Sequence, residues 1–301
     1  MDSPGAHGAR GLTSLPVAYS GERGAFAEDA AIAGFGAGAP LLPVGGFRDV
    51  FEAVRDGRAA AGVVPIENLV NGSIRETYDL LLEHDLVIDG EVAVPVDLCL
   101  AALRGTTLDA MQRVYSHIQA LGQAERYLRA GGWQLLTTYN TAGAGRFIIA
   151  QGDRAAGAVL SRRAAEVLGL DVLATSIQDV PDNRTRFLVI RREAGAAAAV
   201  PAAASATAVV PAPETAPWRT TIAFGVRNEP GTLLAALQIF ASRGINLSKL
   251  ESRPSRSAAW EYVFWADLDA NAADPVCVAA LDDLRAQATM VRVFGSYRRA
   301  S

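Results

Sequence analysis

Residues 179–190 read DVPDNRTRFLVI. One small hydroxyl, Thr185, stands between two guanidinium groups, Arg184 and Arg186, and an apolar strand-forming run, Phe187 to Ile190, follows at once. Asp182-Asn183 is a turn pair, because both side-chain types hydrogen-bond nearby backbone. Read alone, the stretch is a turn that feeds a strand, with solvated arginines beside it. It is also the last strand-like run before residues 194–217, AGAAAAVPAAASATAVVPAPETAP. That segment has no large side chains to bury, and its prolines stop any helix. It reads as a semi-extended linker of about 3.1 Å per residue, so the units on either side can sit well apart or be exchanged between subunits.

Upstream of the linker, strands and helices alternate. Strands are predicted at 17–20, 60–64, 86–88, 92–96, 98–103, 114–115, 133–138 and 156–160. Between them lie helical patterns at 26–34, from about 47, from 74, from about 108, at 118–129, at 142–150 and up to Gly169. Phe47, Val50, Phe51 and Val54 fall at i, i+3, i+4, i+7 on one helical face. Ser73-Ile74-Arg75-Glu76 has the form of a capping box, and Ser161 is placed to cap the helix after it. Such alternation predicts mostly parallel sheets covered by helices, with ligands beyond the C-terminal strand ends. Downstream the order becomes β-α-β-β-α-β, with strands at 220–226, 245–251, 259–268 and 290–294, the ferredoxin-like split.

The bulk chemistry excludes several classes. The formal net charge is -4 with both signs interleaved, so the basic stripe of a nucleic-acid footprint is missing. No run of about 18 apolar residues suggests a membrane span. The opening residues, MDSPGAHGARGLTSL, lack the apolar core of a signal peptide and read as a loose leader. Cys99 and Cys277 are far apart and read as buried thiols of a cytoplasmic protein. His7, His84 and His117 form no metal-binding spacing with them, so neither a metal nor a cofactor is expected. GFGAGAP and TAGAGRF lack the lysine of a P-loop, and SGERGAF lacks the spacing of a dinucleotide fingerprint.

Three more stretches place polar groups just after a predicted strand. VVPIEN ends in Glu67 and Asn68. YSHIQALGQ brings Ser116 and His117, with Gln119 and Gln123 one turn apart on the next helix. VAYSGERGAF ends the first strand in a glycine-rich turn. Each has a plain structural reading: Asn68 as a turn residue, Ser116 as a helix N-cap, His117 as a first-turn surface residue, the glutamines as solvated. In an α/β sheet all these tips can converge on one crevice.

Taken together, the order YSGERGAF, GVVPIEN, YSHIQALGQAERYL, TAGAGRF and IQD-x6-TRF resembles the prephenate dehydratase family over nearly all of residues 17–192. The second unit resembles the regulatory ACT domain, with GTLL at 231–234 and ESRP at 251–254 similar to its phenylalanine-binding motifs. The resemblance implies a catalytic domain at 16–193 in two α/β lobes like a type-2 periplasmic-binding protein. The crossings would lie near 94–96 and 179–186, followed by the linker and an ACT domain at 218–298. No chorismate mutase segment precedes the motifs, so a monofunctional enzyme is expected.

The family removes water and carbon dioxide from prephenate to give phenylpyruvate. By resemblance, Thr185 and Arg186 are the catalytic pair: a hydroxyl donor to the leaving oxygen, and a fork for a carboxylate. Glu67, Asn68, Ser116, His117 and Gln123 match substrate-binding positions. Gly231, Thr232, Leu233, Leu234, Glu251, Ser252, Arg253 and Pro254 match the effector site for phenylalanine. The family pattern often has proline where Ile118 stands, serine at Leu69, cysteine at Ala124 and alanine at Thr232. Arogenate is the alternative substrate, and a non-catalytic amino-acid sensor of the same fold is the alternative function. Because ACT sites form between paired domains, a homodimer or homotetramer is expected.

Overall fold

The apolar run Val17–Ser20 (β1) seeds the first sheet, its first three residues fully shielded from solvent. The computed structural model of the chain describes residues 15–193, 213–254 and 262–300. The leader, most of the linker and the start of the strand expected at 259 lie outside these residues. After β1 come α1 (Phe26–Phe35), β2 (Leu41–Val44), α2 (Phe47–Arg55), β3 (Ala61–Asn68), the short β4 (Gly72–Ser73), α3 (Arg75–Glu83) and β5 (Val87–Pro95). The chain then crosses to a second lobe of β6 (Leu98–Ala102), β7 (Arg113–Ser116), α4 (Ile118–Gln123), α5 (Glu125–Gly131), β8 (Gln134–Thr137), α6 (Thr141–Gln151), β9 (Ala156–Ser161), α7 (Arg162–Leu168) and β10 (Asp171–Ala174). It returns as β11 (Arg184–Arg191), which inserts between β3 and β5.

Both sheets are mixed rather than mostly parallel. β1 runs parallel to β2 and β3, whereas β11 runs antiparallel to β3 and β5. In the second lobe β7 is parallel to β8 and β9, but β6 is antiparallel to β9 and β10. The antiparallel members are the strands that carry the chain between lobes. No covering helix brings them back to the same end, so nothing forces parallel pairing.

Other local expectations also shift. The helix expected at 118–129 breaks into two at Ala124, whose backbone leaves helical geometry. The helix expected near Leu108 is a single 3-10 turn at Leu108–Ala110. β2 escapes a sequence reading because it contains Pro43, tolerated on the edge of the sheet. The capping box at Ser73 does not form: Ile74 occupies the cap position of α3 without a side-chain hydrogen bond, and Ser73 belongs to β4. Ser161 caps α7 as its sequence suggests, accepting from the Ala164 amide at 3.0 Å.

The C-terminal unit comprises β12 (Trp218–Gly225), α8 (Thr232–Ala241), β13 (Leu247–Pro254), β14 (Tyr262–Leu268), α9 (Pro275–Gln287) and β15 (Met290–Arg298). Its antiparallel sheet has the order β13-β14-β12-β15. One face packs on α8 and α9 around Phe224, Phe240 and Leu281. The other face does not stay free. Val263, Trp265, Phe294 and Tyr297 join Phe51, Tyr78, Leu81 and Leu188 of the first lobe in one buried cluster. Trp265 stacks on Phe294 with ring centres 4.7 Å apart and meets Tyr78 edge-on at 4.9 Å. The two units therefore share a core instead of sitting apart. A linker sets only the reach of a unit; an apolar sheet face decides where it rests.

Candidate active site

A cleft of about 760 Å³ opens between the lobes. Ala25 before α1, Gly46 before α2, Ile74 before α3 and Asn140 before α6 all line it, so four helices of nine to eleven residues aim their N-termini at one space, and the six-residue α4 joins them through His117. A helix N-terminus presents amide groups without helical partners and carries roughly half a positive charge. Side chains add little charge: among the described lining residues Arg75 is the one guanidinium and Glu76 the one carboxylate, and both are exposed.

Asn68 is the hub of the cleft wall. Its Oδ1 accepts from the backbone amides of Val70 at 3.1 Å and Asn71 at 3.0 Å, which fixes the orientation of its amide. Its Nδ2 then donates to Thr185 Oγ1 at 2.9 Å, to Asn183 Oδ1 at 3.0 Å and to the Arg184 carbonyl at 3.2 Å. Because Nδ2 can only donate, Thr185 must accept here, and its own proton is left for another acceptor. Gln123, from the second lobe, donates to Asn68 Oδ1 at 3.4 Å. Thr185 and Asn68 are register partners on β11 and β3, so the hub is one rung of the sheet.

The lobes touch around this rung. Ser161 donates to the Gly24 carbonyl at 2.8 Å, and Arg163 pairs with Glu28 at 3.2 Å and Asp29 at 3.3 Å. Gly24 lies at φ +89°, and a Cβ there would stand 2.6 Å from the Ala164 Cα, so only glycine permits this approach. Glu22, from the glycine-rich turn, takes the Tyr139 hydroxyl and the Arg146 guanidinium of the second lobe. That turn is a latch between lobes. Burial pushes the Asp29 carboxyl up to about 6, with Arg163 opposing and Glu28 adding to the shift.

The expected site residues divide. Thr185, Asn68, His117 and Gln123 line the cleft. Ser116 is fully buried beneath it and donates to the Val159 carbonyl at 2.6 Å; His117, not Ser116, caps α4, accepting from the Gln119 amide at 3.3 Å. Glu67 and Arg186 do not line the cleft. They are the next rung, and in a strand neighbouring side chains point to opposite faces. The Arg186 guanidinium meets Glu67 at 3.1 Å, Glu91 at 3.1 Å and Asp267 of the C-terminal sheet at 2.9 Å. Burial works against its charge, yet Asp267, Tyr297, Glu91 and Glu67 outweigh burial and push it up. Burial likewise raises Glu67, but Lys249 and Arg186 win and hold its carboxyl below the usual range.

The expected effector residues divide as well. Gly231, at φ +86°, caps α8, a conformation suited to glycine. The Thr232 hydroxyl turns back to the carbonyls of Arg227 at 2.6 Å and Glu229 at 2.9 Å. Leu233 packs toward the core while Leu234 is 68 % exposed. On β13, Ser252 and Pro254 are exposed, whereas Glu251 takes the Ser73 hydroxyl and Arg253 pairs with Asp79 at 2.7 Å. Arg75 and Tyr139, which line the cleft, and Asn183 and Glu22, which bond to residues around it, are residues that sequence reading passes over. Arg75 was hidden inside the apparent capping box, and Asn183 inside a turn pair. Among the described residues no three His, Cys, Asp or Glu gather as metal ligands, and no helix is long and apolar enough to cross a membrane.

Comparison with known proteins places this geometry. Residues 17–195 match the prephenate dehydratase family and 220–286 match the ACT domain. A bifunctional chorismate mutase/prephenate dehydratase of Aquifex aeolicus is 38% identical over 288 residues, covering 95% of this chain and 74% of the relative. Arogenate dehydratase 2 of Petunia hybrida is 39% identical over 297 residues, covering 94% and 71%. Among solved structures, prephenate dehydratase of Arthrobacter aurescens in complex with L-Phe superposes with a TM-score of 0.83 at 30% identity, covering 95% of this chain and 90% of that one. A protein described as a quorum quenching acylase, GqqA, superposes with a TM-score of 0.81 at 30% identity, covering 94% and 98%. With both family models in register with the lobes and the third sheet, the chain belongs to the prephenate dehydratase family of carbon–oxygen lyases and carries an ACT domain behind its catalytic lobes.

Proposed function

We propose that the cleft converts prephenate to phenylpyruvate, with Thr185 as the donor to the departing ring hydroxyl. The observation that carries this reading is the Asn68 amide donating to Thr185 Oγ1 at 2.9 Å. It leaves the threonine proton free for the oxygen on which charge develops. The ring carbon–oxygen bond breaks, the ring carboxylate leaves as carbon dioxide, and the electrons of its carbon–carbon bond complete the aromatic ring. The leaving oxygen takes up one proton and departs as water. Thr185 is no acid at neutral pH; its part is a preorganised hydrogen bond in a closed, low-dielectric site.

The substrate is a dianion, and the cleft offers four helix N-termini of roughly half a charge each, about the two positive charges needed. Arg75 takes one carboxylate in this reading, the part sequence reasoning gave to Arg186. Gln123 and His117 orient the ligand without a fixed charge. Arogenate is the second reading. It is supported by the arogenate dehydratases among relatives of equal identity, and by Glu76, a carboxylate at the cleft able to meet an ammonium group. Phenylalanine acts as effector through the ACT domain, between paired copies in a dimer or tetramer. The outward Leu234, Ser252 and Pro254 support a second chain there. Cys99 and Cys277 are buried and unpaired, which supports a reducing, cytoplasmic setting.

The test is turnover of prephenate by the purified full chain at neutral pH, with and without phenylalanine, and arogenate in parallel. Prephenate turnover suppressed by phenylalanine is expected. Turnover of arogenate alone would move the reading to that substrate, and turnover of neither would overturn it.

A further inference from the structure

Behind the Thr185–Asn68 rung lies a buried ionic cluster that spans the two units. Arg186 Nη1 donates to Asp267 Oδ2 at 2.9 Å and to Glu91 Oε2 at 3.1 Å, while Nη2 donates to Glu67 Oε2 at 3.1 Å. Asp267 is 4% exposed, and its other oxygen accepts the Thr221 hydroxyl at 2.7 Å. Arg219 reaches Glu91 at 2.5 Å and lies 3.7 Å from Asp267, and Lys249 reaches Glu67 at 2.8 Å. Three cations thus face these three carboxylates, and Lys249 also lies 3.6 Å from Glu251. None of Arg186, Glu91, Asp267 or Arg219 lines the cleft.

The cluster sits beside an irregularity in the first sheet. The pairing of β11 with β3 shifts register between Arg186 and Phe187, one residue past Thr185. A bulge interrupts the ladder on the β3 side, while the β5 side stays in register from Arg184 to Val189, so side chains adjust the local aim of a strand held along one edge. We propose that Asp267, on the ACT sheet, is a positioning residue for the reaction: by holding Arg186 it sets where the Thr185 hydroxyl and the Asn68 amide stand in the cleft. This rests on the reading of Thr185 as the donor. Asp267 touches no substrate; it works through Arg186 and the strand that Arg186 shares with Thr185. The ACT sheet therefore grips the reverse side of the rung whose front meets the substrate, through Asp267 on Arg186 and, beside it, through Lys249, which reaches Glu67 at 2.8 Å and Ser73 at 2.9 Å.

The test is a double-mutant cycle in the full chain with prephenate, reading kcat and KM separately. A reacting group misplaced by about 1 Å costs up to about 10²-fold, so Asp267→Asn should lower kcat by about 10- to 100-fold with KM nearly unchanged. On a Thr185→Val background the same change should cost little more, because the donor it aims is gone. Thr221→Val, which removes the hydroxyl shared by Asp267 and the Tyr297 hydroxyl at 2.7 Å each, should act in the same direction and more weakly. It carries the cycle if Asp267→Asn does not fold. Asp267→Asn with parental kcat, or with an equal loss in both backgrounds, overturns the proposal and leaves a merely structural cluster. Thr185→Val at parental activity would instead sink the donor reading, and this inference with it.

Discussion

Exchanging Asn68 for aspartate turns the donor that faces Thr185 into an acceptor and changes the size of the side chain hardly at all. In the parent, Nδ2 donates to Thr185, to Asn183 and to the Arg184 carbonyl. In Asn68→Asp a carboxylate oxygen takes that place and can only accept. The Thr185 hydroxyl rotates to donate to it, so its proton faces away from the substrate. Asn183 can follow, because its Nδ2 is buried without a partner and can turn to donate. The amides of Val70 and Asn71 keep their acceptor. The Arg184 carbonyl keeps the Leu69 amide at 2.9 Å but loses Nδ2 and faces a carboxylate, so the fold should lose about 1–3 kcal/mol and survive. Catalysis loses one preorganised donor, about 10²–10³ in kcat. Truncation is the informative control. Asn68→Ala removes the prop but leaves the Thr185 proton free, so the loss should be smaller, about tenfold from poorer positioning. The assay is steady-state formation of phenylpyruvate at saturating prephenate, with thermal unfolding in parallel. Aspartate hurting kcat more than alanine is the signature. Alanine equal to or worse than aspartate would refute the argument that the direction of this hydrogen bond matters.

Arg75→Gln should raise KM for prephenate about tenfold while kcat changes little, because a charge-assisted contact worth about 1.5–3 kcal/mol is lost equally from substrate and transition state; a fall in kcat alone would deny the residue this role. Gly24→Ala should prop the lobes apart and cut kcat/KM at least tenfold, since its Cβ would stand 2.6 Å from the Ala164 backbone; an unchanged value would show that the closed approach is dispensable. Asp29 has a folded pKa of about 6 against 3.8, so its favourable contribution is complete below about pH 4 and is lost as pH rises through 6. Asp29→Asn should therefore gain about 1–2 kcal/mol on the parent between pH 4 and pH 8, two units discounted for a side chain 26% exposed; denaturant unfolding at both pH values measures it, and a flat difference would contradict the shift. Trp265→Ala should cost about 3–5 kcal/mol and loosen the two units together; separate unfolding transitions in the parent would mean they do not share a core.

The cleft half of the site was legible in the sequence because it depends on strand tips. Thr185, Asn68 and His117 each stand at or just after a strand end and Gln123 ends the helix that follows β7, and an α/β sheet gathers such tips whatever the details of packing. What lay behind the tips was not read, although part of it was written in the same residues. Along Thr185-Arg186-Phe187 and Glu67-Asn68 the two-residue period already sends Arg186 and Glu67 away from Thr185 and Asn68. The period tells which side chains part company; it does not tell what waits on the far side. Here that is Asp267, more than eighty positions later, beyond a linker whose composition argues only for reach.

One signal did point to the docked sheet. β14 reads YVFWADL, and apart from Tyr262 both alternating sets are largely apolar, Val263 and Trp265 on one side, Phe264, Ala266 and Leu268 on the other. A strand covered on one face alternates with polar residues; a strand covered on both does not. The pattern therefore required a second cover for the ACT sheet, and the first lobe supplies it through Tyr78 and Phe51. Asp267 is the exception in that run, a carboxylate at a position the strand otherwise fills with apolar side chains. A charge so placed is costly unless a cation comes to it. The cation that comes is the arginine beside Thr185, so one of the ion pairs that dock the ACT sheet ends on the strand that carries the donor.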